Sequence, residues 1–435
     1  MKKLFVLSMD AMVWEDVAYL REKPNFSRLM EHMSGVSHVR TIYPSITYPA
    51  HVSIMTGCRT GKHGVFTNGT FGTEGGSTRW HYVGDIVKTE DIFAAAKRAG
   101  LTTASVFWPV TGRNKNIDYL IDEYFFPDPN ETPEQGFANM GSSEEALRAV
   151  RENMDRWPSN YKNRGKFLDK TNTFDDFLMG CACSMIRLYQ PDVLFVHNCI
   201  LDTFRHRHGI FNEQIDRGLD MTDEWLGEVM SAMEEAGVYD DTDFVILSDH
   251  GQMDFARRIK LNLILRQGGF IDVDESGKVT DWRAFAQSNG MSATIWTKDG
   301  AKQQVYEYLC RLRDQGVWGF EEVLTREEVS REYGFDGDFD LVVETDGYTA
   351  FGDGWQEPIA NPIDLSDYRL GMATHGYRPE KGPQPVFLCK GPSVEDDVMI
   401  GRGEIIDEAP TLAATFGGTM PDAEGRVIGE ILKQK

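Results

Sequence analysis

Six acidic and imidazole residues are spread along this chain, most of them just after a short apolar run. Asp10 follows Leu4-Phe5-Val6-Leu7-Ser8-Met9. Asp202 and His206 come after Val193-Leu194-Phe195-Val196, and Asp249 and His250 after Phe244-Val245-Ile246-Leu247. His375 lies in Ala373-Thr374-His375-Gly376-Tyr377. With the Thr47 hydroxyl they make seven donors, too many for one tetrahedral ion and about right for two ions roughly 4 Å apart. Oxygen and imidazole donors without cysteine suit Zn²⁺, with Mn²⁺ and Fe²⁺ also tolerated. Two cations beside a hydroxyl are the equipment of phosphoryl transfer.

The spacing refines the candidates. Asp202 and His206 are four apart, so on a helix both face one ion; His208 points elsewhere and is the weaker ligand. Asp249 and His250 can serve one ion only on a bent backbone, which Gly251 permits. His197 closes its strand and reads as a packed or supporting histidine. Thr47 sits in Tyr43-Pro44-Ser45-Ile46-Thr47-Tyr48-Pro49-Ala50-His51. Pro49 suits a first helical turn, which places Thr47 at a helix mouth that favours an anion. Ser45 competes with it as nucleophile, and an N-cap is the plain alternative role for Thr47. Asn68, further on, is a candidate donor to a non-bridging phosphoryl oxygen.

The elements that must position these groups follow from the pattern. Short apolar runs alternate with amphipathic stretches, which predicts an α/β protein with a mainly parallel sheet. Expected strands cover 4–8, 103–107, 193–197, 244–247 and 385–388. Expected helices cover 24–32, 92–99, 143–154, 173–188 and 216–236, the last stopping at Gly237. In such a sheet ligands bind beyond the carboxyl ends of the strands, where Asp10, Asp202 and Asp249 would meet. Two regions read as insertions. Residues 127–170 are polar and are expected to cover the sheet edge or the site. Residues 262–367 carry their own strands (293–297, 340–344) and a helix (302–315), as an α+β cap. The expected organisation is a catalytic core of 1–261 and 368–435 with an inserted cap of 262–367.

The chain has 435 residues, 41% hydrophobic and 26% charged, with a formal net charge of −23. That charge argues against binding a nucleic-acid polymer, although cations can reverse the sign locally for an anionic ester. The N-terminal apolar run stops at Asp10, too short for an ordinary signal peptide. No run approaches the ~20 apolar residues of a membrane span. Six cysteines without a CxxC pair read as buried free thiols in a reducing compartment. A cytoplasmic location with no membrane association is the expectation; the sequence says nothing of assembly state.

With these motifs in order, the chain resembles the alkaline phosphatase superfamily, and within it the nucleotide pyrophosphatase/phosphodiesterase branch. The resemblance rests on Asp10, Thr47-Tyr48-Pro49-Ala50-His51, Thr56-Gly57 through His63-Gly64, Asp202 with His206, Ser248-Asp249-His250-Gly251 with Met253, and His375-Gly376-Tyr377. It covers about residues 4–72, 190–255 and 370–420. It implies a doubly wound α/β sheet with a cap, and two divalent ions. Asp202, His206 and His375 would hold one; Asp10, Asp249, His250 and the Thr47 oxygen the other. Asn68 is similar to the family's phosphate-contacting asparagine. The implied enzyme is a phosphodiesterase or nucleotide pyrophosphatase acting through a phospho-threonine intermediate on a small phosphate ester. A phosphomonoesterase or a phosphonate hydrolase uses the same apparatus, and a phosphomutase is the rival from another reaction class. The chain departs from the branch's pattern at Ile46, Ile200-Leu201 and Arg205, where a lysine, Glu-Pro and a glycine are usual. These departures bear on substrate choice rather than on the metal and nucleophile set.

A second organic group would need an apolar or aromatic slot, for which Tyr48, Phe66, Phe71 and Trp108 are candidates, each equally plausible as core. A monoester's extra charge would need cations, for which Arg205 and Lys62 are candidates.

Overall fold

The computed structural model describes residues 2–73, 79–128, 130–158, 174–365 and 371–433. Its main sheet is built from β1 (Lys3–Met9), β2 (Ser34–Val36), β3 (Thr103–Val106), β4 (Tyr119–Ile121), β5 (Val193–Asn198), β6 (Thr242–Leu247), β7 (Phe387–Lys390) and β8 (Met399–Ile400), in the order β8-β2-β7-β6-β1-β5-β3-β4. β1 is central, with Leu4 opposite Val193 on one side and Asp243 on the other, both pairings parallel. Only β7 runs against its neighbours in this sheet. The segment expected at 385–388 is therefore a strand, but the reversed one.

The two-sided apolar character of β1, β5 and β6 reflects burial on both faces. Alternate side chains go to opposite layers. Phe5 and Leu7 join Leu194 and Val196 under the helices α3 (Phe174–Tyr189) and α5 (Glu213–Glu235). Leu4 and Val6 join Val193 and Phe195 under α1 (Thr47–Thr56), α2 (Ile92–Arg98) and α6 (Glu408–Thr415). The remaining helix of this set, α4 (Ile200–His208), starts beyond the carboxyl end of β5. α5 is capped by the Asn212 side chain, which accepts from Gln214 N–H, and it ends before Gly237, whose φ of +68° reverses the chain.

Between 284 and 345 lies a separate antiparallel sheet in the order Ala284–Ser288, Ser292–Thr297, Leu341–Thr345, Phe320–Thr325. The helices Lys302–Asp314 and Arg326–Tyr333 accompany it, and its own core includes Ile295, Val305, Leu309, Leu341 and Val343. A further small sheet joins Arg257–Lys260, which precedes residue 262, to Thr349–Gly352 and Ala360–Asn361. The expected closing boundary at 367 falls outside the described residues. In the other suspected insertion, Pro133–Asn139 and Glu144–Glu152 are helices, while 159–173 fall outside the described residues. Among the described residues no helix is long and apolar enough to cross a membrane. All six cysteines are free thiols; Cys199 and Cys310 are only partly buried.

Candidate functional site

The carboxyl edge of the main sheet carries the chemistry. Asp10 immediately follows β1, Asp249 lies two residues beyond β6, and Asp202 is on the first turn of α4. His375 arrives from far along the chain because Ala373–Thr374 pairs antiparallel with Met253–Asp254, just past Asp249-His250. Its loop is anchored from the antiparallel unit by Met291 N–H donating to His375 C=O at 2.8 Å.

The side chains converge. His206 Nε2 is 3.3 Å and His375 Nε2 4.0 Å from Asp202 Oδ1. His250 Nε2 is 3.2 Å from Asp249 Oδ2 and 3.6 Å from Asp10 Oδ1. The donor atoms of Asp202, His206 and His375 lie within 4.8 Å of one another, as do those of Asp10, Asp202 and His250. All six sequence candidates are thus in one place. His208 is not among them; its ring lies against Phe204.

Thr47 opens α1 as its first helical residue and is 8% exposed. Ile46 takes the N-cap position with no side-chain cap, so the N-cap role considered for Thr47 does not hold, and Pro49 sits two residues further in. The Thr47 Oγ1 lies 3.2 Å from His250 Nε2. Ser45, the competing hydroxyl, is fully buried and donates to Tyr377 C=O at 2.9 Å. Asn68 Oδ1 accepts the Tyr48 N–H at 3.0 Å, which takes up one first-turn donor of α1 and leaves the Asn68 amide nitrogen as a donor.

A ring of buried groups holds this arrangement. His51, one turn into α1, is paired through Nδ1 with Thr47 C=O (2.8 Å) and through Nε2 with Ser8 Oγ (2.8 Å). His197 Nε2 is 3.2 Å from Asp10 Oδ2, which makes it the supporting histidine its position suggested. Cys199 Sγ joins Asp10 and His197 in a third close set. Gln252 donates to Asp202 Oδ1 at 2.6 Å and to Asp202 C=O at 3.1 Å. The His206 Nδ1 side is turned to Ala373 C=O at 2.8 Å. Gln252 and the buried Glu123 were not anticipated. Gln252 follows Asp249-His250-Gly251 by one residue, and that adjacency was the available signal. Glu123 lies beyond β4 on the same sheet edge, with no apolar run long enough to announce the strand.

The electrostatics are those of an acidic cluster in need of cations. Burial, reinforced by Asp249 and Asp202, raises the Asp10 carboxyl well above the usual range. Desolvation opposes the ionisation of the partly buried Asp202, but His206, with His375 and His250 behind it, holds it below the usual range. Burial followed by the neighbouring His250 and His206 depresses His375, and burial brings His51 and His197 down to about 3.

For two of the candidate slot aromatics the structure favours the core alternative. Tyr48 and Trp108 are fully buried. Tyr48 packs on Trp80 with ring centroids 5.0 Å apart, and Phe71 stacks on Trp296 at 4.2 Å. Phe66 packs against Phe339. Tyr48 and Trp108 are therefore core residues, whereas Phe66 and Phe71 are only partly buried. Of the two candidate cations, Arg205 is fully buried and bonded to both Asp16 oxygens (2.6 and 2.7 Å). Lys62 reaches Asp422 C=O.

Residues 4–378 match the family model described as type I phosphodiesterase / nucleotide pyrophosphatase. The chain belongs to that family. Human ectonucleotide pyrophosphatase/phosphodiesterase family member 5 is 23% identical over 404 residues, covering 90% of this chain and 69% of the relative. Mouse member 7 is 22% identical over 262 residues, 57% of this chain and 49% of the relative. Venom phosphodiesterase 2 of Crotalus adamanteus is 20% identical over 246 residues. That match spans 52% of this chain and only 24% of the venom enzyme. Among solved structures, murine ectonucleotide pyrophosphatase/phosphodiesterase 5 superposes with a TM-score of 0.68 at 18% identity, covering 99% of this chain and 100% of the other. An inactive threonine-to-alanine form of the murine protein in complex with AMP superposes with the same score. The family resemblance read from the motifs and the α/β fold it implied both hold.

Proposed function

We propose that the protein is a metal-dependent hydrolase of phosphoric diesters or pyrophosphates that uses Thr47 as nucleophile and passes through a phospho-threonine intermediate. The observation that carries this reading is the Thr47 hydroxyl, 3.2 Å from His250 Nε2, at a helix mouth beside three carboxylates and three imidazoles.

The donor set fits divalent cations. Asp10 Oδ1 and Asp249 Oδ2 are buried without a hydrogen-bond partner, although imidazole nitrogens lie 3.6 and 3.2 Å away. Two ligands each about 2.0 Å from a tetrahedral ion lie about 3.3 Å apart, so these pairs are spaced as ligands sharing an ion. Asp202, His206 and His375 would hold one cation, and Asp10, Asp249, His250 and Thr47 Oγ1 the other; nitrogen and oxygen donors favour Zn²⁺. Such cations lower the pKa of a coordinated hydroxyl and neutralise charge on phosphoryl oxygens.

The chain supplies the rest. α1 aims its N-terminal N–H groups and dipole at the non-bridging oxygens. Asn68, held by Tyr48 N–H, offers its amide nitrogen to one of them. His51 fixes the start of the helix through Thr47 C=O and Ser8. The deprotonated Thr47 oxygen forms a bond to phosphorus as the bond to the leaving ester oxygen breaks. Water then attacks the same phosphorus, the Thr47–phosphorus bond breaks, and the phosphate product departs.

Diester preference is supported by the burial of Arg205 against the Asp16 carboxylate, which takes up its charge and keeps it from a monoester's added charge. The relatives' phosphodiesterase names point the same way. The murine relative described as inactive after replacement of a threonine by alanine supports a reacting threonine. The test is turnover of a bis-aryl phosphate, an aryl monophosphate and an aryl phosphonate ester by zinc-loaded protein. The diester should be hydrolysed fastest. A dominant monophosphate rate would overturn the diester preference, and an isomer in place of released product would make the protein a phosphomutase.

A further inference from the structure

A buried carboxylate in the antiparallel unit joins the two loops that bring Thr47 and His375 to the site. Glu344, on the strand Leu341–Thr345, has no solvent exposure. Its Oε2 accepts the Tyr43 hydroxyl at 3.0 Å, four residues before Thr47. Its Oε1 accepts the Arg378 backbone N–H at 3.1 Å, three residues after His375, and the Lys381 Nζ at 2.9 Å. The same two loops also touch directly, Gly376 N–H donating to Ser45 C=O at 2.9 Å, and the neighbouring strand adds Ser292 Oγ donating to Gly376 C=O at 2.5 Å. Glu344 is thus one of several ties between the nucleophile loop and a ligand loop more than 300 residues away in sequence, and the one that carries a charge.

We propose, building on the reading of Thr47 and His375 above, that Glu344 is a positioning residue: ionised, it clamps the Tyr43–Thr47 and His375–Arg378 loops in their reactive spacing. An ionised carboxylate accepts all three donors; a protonated one places its O–H against the Tyr43 hydroxyl, so that contact reverses direction and all three lose the charge that shortens and strengthens them. Misplacing a reacting group by about 1 Å can cost ~10²-fold in rate.

The surroundings allow ionisation near neutrality. Burial pushes the Glu344 carboxyl up to about 7, against the pull of Lys381 and the hydrogen bonds from Arg378 and Tyr43. The charged and titratable groups that face it are Tyr43 from the nucleophile loop, Arg378 and Lys381 from the ligand loop, and Glu321 and Glu322 from the adjacent strand, which pair with those two cations. Tyr333 packs on Tyr43 from the other side. A carboxyl raised in the folded state contributes stability that is complete below its ordinary value of 4.5 and is lost as pH rises through about 7. Activity responds in the opposite sense, rising over the same range as the clamp ionises. Opposed slopes of stability and kcat are a signature that a merely structural residue would not give.

The experiment compares wild type, Glu344→Gln and Tyr43→Phe in zinc-loaded form, reading metal content, melting temperature, and kcat and KM against a bis-aryl phosphate from pH 5.5 to 8.5. Glu344→Gln should lower kcat by about tenfold or more with little change in KM. It should also flatten both the rise of kcat and the fall of melting temperature with pH. Tyr43→Phe, which removes only the nucleophile-loop bond, should lower kcat by a smaller factor. Wild-type kcat and pH profile in Glu344→Gln would overturn the proposal, as would a loss that merely follows the melting temperature. If Glu344→Gln does not fold, a wild-type kcat in Tyr43→Phe overturns it. Failure of the Thr47 reading would show separately, as activity surviving in Thr47→Ala.

Discussion

At the scale of single residues, the site is held by neighbours that reach it through hydrogen bonds. Gln252 is the clearest case. It is fully buried and ties both the side chain and the backbone of Asp202. Groups that orient ligands in this way typically change metal affinity by 10–100-fold when removed. Gln252→Leu keeps the volume and removes both bonds, so about that loss is expected for one of two metal equivalents in a chelator competition, with the other retained. Equal retention of both equivalents would show that Asp202 is held by the backbone alone. The candidate donors were legible at this scale because metal chemistry restricts residue type, and Asp10, Asp202, His206, Asp249, His250 and His375 do lie together. Gln252 and Glu344 were not, since a neutral amide or a lone glutamate in a strand has no type restriction that marks it out. Tyr48 and Trp108 stood open between slot and core, because sequence cannot tell an aromatic at a pocket wall from one beneath a second ring, and both are core.

At the scale of elements, the decisive devices are helix starts and tight loops. The β1, β5 and β6 strands were legible as apolar runs, since burial on both faces leaves a continuous signal. The direction of β7 was not, because a strand's sequence carries no mark of which way it runs. The pairing of Ala373–Thr374 with Met253–Asp254 was also hidden, being too short for any periodicity. That pairing and the turn after it fix His375. Gly376 has φ of +88°, and a Cβ there would lie 1.8 Å from Asn289 C=O. Both the backbone conformation and the close approach require glycine. Gly376→Ala should therefore push the His375 loop away from the antiparallel unit. A weaker hold on zinc and a kcat reduced by tenfold or more are expected, measured by zinc titration alongside steady-state rates. Unchanged zinc affinity would mean that the loop adapts without moving His375.

At the scale of the whole molecule, an acidic chain of net charge −23 brings Asp10 and Asp202 within 4.8 Å of each other, with Asp249 beside them across His250. Fully ionised, such a cluster calls for compensating positive charge, and bound divalent ions would reverse its sign for a phosphoryl group. The fold makes the gathering possible: a parallel sheet delivers several strand ends to one edge, and the antiparallel unit returns the late His375 segment to them. The central claim is that this edge holds metal for the Thr47 hydroxyl to react. The most direct test is to measure divalent metal content and bis-aryl phosphate turnover of zinc-loaded Thr47→Ala beside wild type. Metal content should stay close to wild type while kcat falls by at least about a thousandfold. Turnover at the wild-type rate by Thr47→Ala would contradict the central claim.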